Sequence, residues 1–197
     1  MTLLLRFQNI VKEQNLFSAN DKLLLAVSGG IDSVVLSELC HQAGYYFALA
    51  HCNFQLRDAD SERDEAFVRE LAGKYNVPFH EVKFETRAFA SERKISTQEA
   101  ARELRYNWFE EIRVAEGYQY TLTAHHADDN IETVLMNFFR GTGIKGVRGI
   151  ESKHGNIIRP LLFARRTELE IFLTDNKLDH VSDYTNEQDD YTRNYFR

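Results

Sequence analysis

Two glycines and an acid interrupt an apolar run early in the chain. The stretch LLLAVSGGIDSVVL covers residues 23–36, where the apolar run stops at Ser28 and helix-like spacing resumes after Asp32. Gly29 and Gly30 can take positive φ, so successive backbone N–H groups can converge on one point. The unpaired N–H groups and the dipole of the following helix attract negative charge to that point. The spacing therefore predicts a phosphate-binding loop.

The other residues of this glycine loop, residues 28–33, indicate a nucleoside triphosphate. Ser28 and Ser33 add hydroxyl donors, whereas Asp32 repels a bare phosphate and therefore predicts Mg²⁺ bridging its carboxylate and phosphate oxygens. An ordinary strand-to-helix turn capped by Ser28 or Asp32 is the alternative. The loop matches neither the Walker A motif nor the dinucleotide fingerprint GxGxxG. The expected nucleotide-binding residues of the loop are Ser28, Gly29, Gly30, Ile31, Asp32 and Ser33.

A second polar cluster, AHCNFQLR, covers residues 50–57 and follows an apolar run. His51, Asn53 and Arg57 are expected to contact the base, the ribose or the second substrate. The charge run that continues through residues 58–65 is expected to be a solvated connection.

A third cluster, TAHHADDNIET, covers residues 123–133. Its His and Asp side chains suit either a divalent metal or direct contact with substrate. Zinc is disfavoured because both cysteines, Cys40 and Cys52, lie elsewhere in the chain. Asp128 or Asp129 could instead cap the helix that follows. Which of the two aspartates faces inward is left open.

A predicted helix beginning at Ser96 carries further candidate residues. Ser96 and Glu99 have the spacing of a capping box. Arg102, Arg105 and Tyr106 lie on one helical stripe, because residues three or four apart share a face. The alternative interpretation is a surface ridge of ion pairs.

These clusters fall at the ends of predicted strands. Apolar runs predict strands at 22–27, 45–52, 79–84 and 120–124, and apolar periodicity predicts helices at 3–14, 31–43, 60–75, 96–116, 128–139 and 165–177. Strands that alternate with helices specify an α/β fold, a doubly wound parallel sheet with helices on both faces. Ligands of such sheets bind at the carboxyl ends of the strands. Residues 140–197 are expected to form a loop and a helical extension, with a mobile loop over 141–149.

Composition narrows the class of protein. The 197 residues are 43% hydrophobic, enough for one sizeable core. No stretch has the apolar length of a membrane helix, and two cysteines favour a reducing cytoplasm. The net charge of −6 disfavours nonspecific nucleic-acid binding by the whole surface. Residues 140–166, however, hold seven Lys or Arg against one acid, so they predict a local basic face for a polyanion.

The motifs resemble those of a known enzyme family. SGGIDS is similar to the PP-loop of the N-type ATP pyrophosphatases, and EAARxxRY and AHHxDDxxET resemble the lysidine synthetase family. The resemblance implies an adenine nucleotide alpha hydrolase-like fold that uses ATP and Mg²⁺. It implies the anticodon loop of tRNA(Ile) and free lysine as partners, and it leaves a homodimer open. The catalytic residues that it implies, together with the loop acid, are Asp32, Arg102, Arg105, His125, Asp128 and Asp129.

In such a reaction a cytosine oxygen attacks the α-phosphorus of ATP and lysine then displaces AMP. Family members usually carry further tRNA-binding domains, so residues 1–197 are expected to be a catalytic domain cut from a longer protein. A PP-loop tRNA thiolase and a nucleotide-binding sensor without catalysis are the alternatives. The thiolase is disfavoured because the sequence has no pair of closely spaced cysteines.

Overall fold

The computed structural model describes residues 1–57, 59–139, 141 and 148–181. They form a six-stranded sheet in the order β3-β2-β1-β4-β6-β5. The strands are β1 (Leu23–Ala26), β2 (Phe47–Asn53), β3 (Phe79–Lys83), β4 (Tyr120–Leu122), β5 (Lys153–His154) and β6 (Ile157–Ile158). The helices are α1 (Leu3–Glu13), α2 (Ile31–Gln42), α3 (Ala59–Tyr75), α4 (Thr86–Arg93), α5 (Thr97–Ala115), α6 (Ala127–Phe139) and α7 (Arg166–Asp175).

The sheet is parallel except at one edge. Strand β1 pairs with β2 on one side and with β4 on the other, and β4 pairs with β6. Only the short β5 runs antiparallel, against β6. The chain first winds from β1 towards β3 and then returns to add β4 on the opposite side. The strand order therefore reverses beside β1, which places a ligand crevice at the carboxyl ends of β1 and β4.

Helices cover both faces of the sheet, as the alternation of β1 shows. Leu23 and Leu25 belong to the larger core, which includes residues of α1, α2, α3 and α7. Leu24 points to the opposite face and packs in a smaller core with Phe109 of α5. A strand that is buried on both faces has a continuous apolar sequence, because the side chains on neither face contact water.

The structure confirms the predicted α/β architecture and corrects the extension. The sequence-based prediction gave residues 140–197 a loop and a helix. The helix is present as α7, and residues 153–158 additionally form the β5–β6 hairpin, which continues the sheet beyond β4. The short helix α4 was not predicted either, because its eight polar-rich residues have weak apolar periodicity.

One predicted feature falls largely outside the described residues. Most of the glycine-rich stretch 141–149, predicted as a mobile loop, lies there. Among the helices that the structure describes, none combines the length and apolar character that a bilayer crossing requires.

Candidate active site

A cavity of about 690 Å³ opens at the carboxyl edge of the sheet. Residues that follow β1, β2 and β4 line it, and α5 closes its far side. The three polar clusters of the sequence, which are up to a hundred residues apart, therefore share one space. This convergence follows from the parallel sheet, since parallel strands present their carboxyl ends at one edge.

The glycine loop forms one end of the cavity, with its two glycines in different conformations. Gly29 has φ +95°, whereas Gly30 has φ −71° and is the N-cap of α2. The expectation that both could take positive φ therefore holds for Gly29 alone of the pair. Ser33 Oγ donates to the carbonyl oxygen of Gly30 at 2.9 Å, which fixes the first turn of the helix. Ser28, Gly30, Asp32 and Ser33 line the cavity, and Gly29 and Ile31 do not.

Asp32 lies in the first turn of α2 and is ion-paired. Nη1 of Arg166 lies 2.7 Å from each carboxylate oxygen of Asp32. The Asp32 side chain is 26% exposed. Burial raises the pKa of Asp32 above its ordinary value, and the nearby Arg166 and His126 partly offset that rise.

The donors of the cavity fit Mg²⁺ in kind. Mg²⁺ is commonly held by one or two carboxylates together with substrate phosphates and water. Asp32 and Asp129 supply two carboxylates on the same cavity. No group of three or more His, Cys, Asp or Glu among the described residues forms a complete metal cage. A metal here would need phosphate oxygens from the nucleotide.

His51 and Asn53 line the cavity but are held by protein partners. Nδ1 of His51 lies 2.9 Å from the carbonyl oxygen of Val27, the residue before the glycine loop. A carbonyl only accepts, so Nδ1 carries the proton. Asn53 Nδ2 donates to Glu65 Oε2 at 2.9 Å, and the Asn53 side-chain oxygen accepts from the Gln55 N–H. Both side chains therefore shape the ends of β1 and β2.

Helix α5 forms the far wall of the cavity. Its predicted capping box is present, with Ser96 and Glu99 bonded reciprocally. The guanidinium of Arg105 lies 5.1 Å from the ring centroid of Phe54, and both residues line the cavity. Arg102 does not line it and instead lies 4.9 Å from the ring centroid of Tyr106. Tyr106 itself lines the cavity, so the predicted stripe reaches the cavity through Arg105 and Tyr106.

The start of α6 separates the roles of the two aspartates. Asp129 lines the cavity, is 8% exposed, and its Oδ2 accepts the His126 N–H at 2.9 Å. Asp128 instead accepts the backbone N–H of Arg166 at 2.7 Å, so it caps the start of α7. The inward aspartate is therefore Asp129. His125 also lines the cavity, with Nδ1 2.9 Å from Thr123 Oγ1.

The glycine loop has the form of a phosphate-binding loop and lies where the strand order of the parallel sheet reverses. These two features restrict the possible protein families, and similarity to known sequences identifies one of them. Residues 2–197 match the sequence model of a PP-loop domain. The chain belongs to the PP-loop family of ATP-binding domains.

This PP-loop domain is similar to several tRNA(Ile)-lysidine synthases. It is 49% identical over 187 residues to that of Bacteroides thetaiotaomicron, which covers 95% of this chain and 44% of the relative. It is 48% identical over 187 residues to that of Parabacteroides distasonis (95% and 43%), and 42% identical over 196 residues to that of Chlorobaculum tepidum (98% and 59%). The chain thus spans about half the length of these relatives. The resemblance inferred from the motifs is confirmed.

Solved structures share the fold of this PP-loop domain. The U34-tRNA thiolase NcsA from Methanococcus maripaludis, with its [4Fe-4S] cluster, superposes with a TM-score of 0.71 at 15% identity, over 90% of this chain and 65% of that one. An NH3-dependent NAD synthetase from Campylobacter jejuni gives 0.60 at 14% identity, over 95% and 76%. This likeness confirms the predicted fold class.

Two residues of this PP-loop domain were missed from the sequence. His126 is 3% exposed, and its Nε2 lies 3.8 Å from Asp32 Oδ2 and 3.5 Å from Asp129 Oδ2. His126 Nδ1 has no hydrogen-bond partner among the described residues. Arg166, the partner of Asp32, is 134 residues away in the chain. The HH pair of the third cluster could have indicated His126, whereas no local pattern indicates Arg166.

Proposed function

We propose that this chain is the catalytic part of a tRNA(Ile)-lysidine synthase. It uses ATP to join lysine to C2 of the anticodon wobble cytidine of tRNA(Ile), and it releases AMP and pyrophosphate. The observation that carries the proposal is the identity of 49% over 187 residues to a relative of that name. The cavity supports it, because the glycine loop, α5 and the start of α6 line one space. The assignment of residues 1–197 as one catalytic domain stays a prediction.

In the first step, the cytosine O2 attacks the α-phosphorus of ATP and the bond to pyrophosphate breaks. Charge builds on the departing oxygens, so donors fixed in advance lower the barrier. The candidate donors are the N–H groups at the N-terminus of α2 and the hydroxyl of Ser28, whereas Ser33 Oγ donates to the carbonyl oxygen of Gly30. Mg²⁺, when bound at Asp32, would neutralise part of that charge.

In the second step, the ε-amino group of lysine attacks C2 and the C2–O bond to AMP breaks. The amine reacts only when unprotonated, so a group in the cavity must accept its proton. Asp129 and His125 line the cavity and are the candidates. Asp128 is assigned to capping α7 rather than to proton transfer.

The two arginines of α5 receive different roles. Arg105 and Phe54 lie together on the cavity wall, where a guanidinium over a ring suits a flat base. Arg102 lies over the ring of Tyr106, which lines the cavity, and is proposed to position that ring.

Contact with RNA is proposed near the end of β6. Arg148, His154 and Arg159 line a second cavity of about 270 Å³. Because β6 is parallel to β4, Arg159 follows it at the same edge of the sheet as the active site. Arg148 and Arg159 suit backbone phosphates, whereas His154 is paired with Glu151, which lines the same cavity. The predicted basic face over residues 140–166 is therefore reduced to fewer residues. Arg166 pairs with Asp32, and Arg140 and Lys145 lie outside the described residues.

The test measures pyrophosphate release and lysine incorporation with an anticodon stem-loop, ATP, Mg²⁺ and radiolabelled lysine. Incorporation is expected with the target cytidine and not with uridine in its place. The Asp32→Asn variant should lose at least about tenfold in rate, since it removes the carboxylate proposed to hold the metal. Pyrophosphate release without lysine incorporation would overturn lysine as the substrate.

The two alternatives differ in that assay. A thiolase of the kind that holds an iron–sulfur cluster needs several cysteine ligands. The whole sequence has two cysteines, of which Cys40 is buried on α2 and Cys52 lies on β2. The thiolase is therefore not favoured. A sensor would bind ATP and release no pyrophosphate.

A further inference from the structure

Arg166 joins three elements around the glycine loop. Its Nη1 contacts both carboxylate oxygens of Asp32 on α2, and its backbone N–H donates to Asp128 of α6. Its Nε donates to Glu170 Oε1 at 2.9 Å, one turn along α7. The Arg166 side chain is 35% exposed. The guanidinium is thus placed by its own helix and by a cap from α6, and not by Asp32 alone.

This arrangement occupies the oxygens that a metal at Asp32 would need. Nη1 lies equally far, at 2.7 Å, from Oδ1 and Oδ2, between the two oxygens of the carboxylate. A divalent cation at contact distance from the same oxygens would lie close to a positive guanidinium, and like charges at such a separation repel strongly. The Asp32–Arg166 pair and a bound metal therefore exclude each other.

A second carboxylate lets the guanidinium leave Asp32 without losing every partner. Glu170 holds Nε through a contact that does not involve Asp32. His126 approaches Asp32 Oδ2 only to 3.8 Å and from the buried side. The contact from α7 is therefore the one that a metal must replace.

We propose that Arg166 is a resident counter-ion that holds Asp32 in the metal-free protein and is displaced when the metal binds. Arg166 acts through Asp32 and is a positioning residue. It keeps the carboxylate aimed at the cavity before the nucleotide arrives, and it sets the apparent affinity for the metal. The inference rests on the proposed function in one respect, the assignment of a metal to Asp32.

The test is a titration with Mn²⁺ alone, followed by the electron paramagnetic resonance signal of the free ion. Arg166→Gln is expected to bind Mn²⁺ about fivefold more tightly than the wild type, because a competing, partly exposed ion pair is removed. The matched control is Arg165→Gln, which removes the same charge from the adjacent exposed position. The affinity of Arg165→Gln for Mn²⁺ should stay within about twofold of the wild-type value, because solvent and salt screen an exposed charge. The double variant Asp32→Asn/Arg166→Gln should lose the gain.

A result in which Arg166→Gln binds Mn²⁺ no more tightly than the wild type would overturn the inference. An equal gain in Arg165→Gln would do the same, since it would reveal a general effect of charge. Arg166→Lys provides a second variant should the glutamine form fail to fold. Lysine keeps the positive charge but lacks the planar guanidinium group. The affinity of Arg166→Lys for Mn²⁺ should therefore fall between those of the wild type and Arg166→Gln.

The titration needs neither ATP, RNA nor lysine. A tighter Mn²⁺ site in a chain that makes no lysidine would overturn the proposed function and keep the inference. Lysidine formation with unchanged Mn²⁺ affinity in Arg166→Gln would overturn the inference alone.

Discussion

Nδ1 of His51 lies 2.9 Å from the carbonyl oxygen of Val27. This contact joins the second half of β2 to the residue at which β1 runs into the glycine loop. The Val27 N–H in turn donates to the carbonyl oxygen of Ala50 at 2.9 Å. Two contacts from β2 therefore fix the backbone at Val27, where the glycine loop begins.

A buried neutral histidine makes stability depend on pH. Burial lowers the pKa of His51 below its ordinary value of 6.5, so near that pH the unfolded chain binds this proton more readily than the folded one. Stability therefore rises with pH through the window below 6.5 and is lost as pH falls, by at most about 1.4 kcal/mol per pH unit for one proton. Urea unfolding between about pH 7.5 and pH 5.5 measures this slope.

The matched variant is His51→Asn, whose amide can donate to Val27 but cannot titrate. We expect a shallower slope in the variant than in the wild type. The raised pKa of Asp32 acts in the opposite direction, and it is common to both proteins. Equal slopes would show that His51 does not contribute.

The two glycines of the loop should respond differently to alanine. At Gly29, φ is +95°, and a Cβ would lie 3.2 Å from Val181 Cγ2 and 3.3 Å from Phe67 Cδ1. Gly29→Ala is therefore expected to lower the free energy of unfolding by about 1–2 kcal/mol or more. At Gly30 a Cβ would meet only Ser28 Oγ, at 3.5 Å. Gly30→Ala should change the free energy of unfolding by less than about 0.5 kcal/mol. Equal losses of stability in the two variants, measured by urea unfolding, would contradict the different conformations of the two glycines.

The aspartates at the start of α6 should separate capping from chemistry. An asparagine keeps a side-chain oxygen that can accept the N–H of Arg166 or His126, so both Asn variants should stay folded. Asp129→Asn is expected to slow lysine incorporation by at least about tenfold, because it removes a candidate proton acceptor. Asp128→Asn should retain most of the rate. A larger loss in Asp128→Asn would place the chemistry on the other carboxylate.

Asp128→Ala tests the cap itself. Removal of the acceptor for the Arg166 N–H should lower the free energy of unfolding by about 1 kcal/mol, as for other helix N-caps. Asp128→Asn serves as the control in the same urea titration, since it keeps the acceptor. Identical stabilities would show that the contact at α7 is not stabilising.

Features that depend on neighbouring residues were open to prediction from the sequence. The glycine loop follows from a strand, two glycines and a helix that are contiguous in the chain. The capping box of Ser96 and Glu99 depends on a spacing of three residues. The alternation of strands and helices determined the parallel sheet, and the parallel sheet in turn determined which ends of the strands meet.

Other features were decided only by the tertiary structure. Asp128 and Asp129 are adjacent acids, and the packing of α7 against the start of α6 selects which one faces the cavity. The hairpin at 153–158 has two residues in each strand and acquires its strand character by pairing with β4. Asp32 meets Arg166 across 134 residues, and no spacing rule connects positions so far apart. Local features depend on consecutive residues and can be predicted from them, whereas the partner of a charged group depends on which elements the fold brings together.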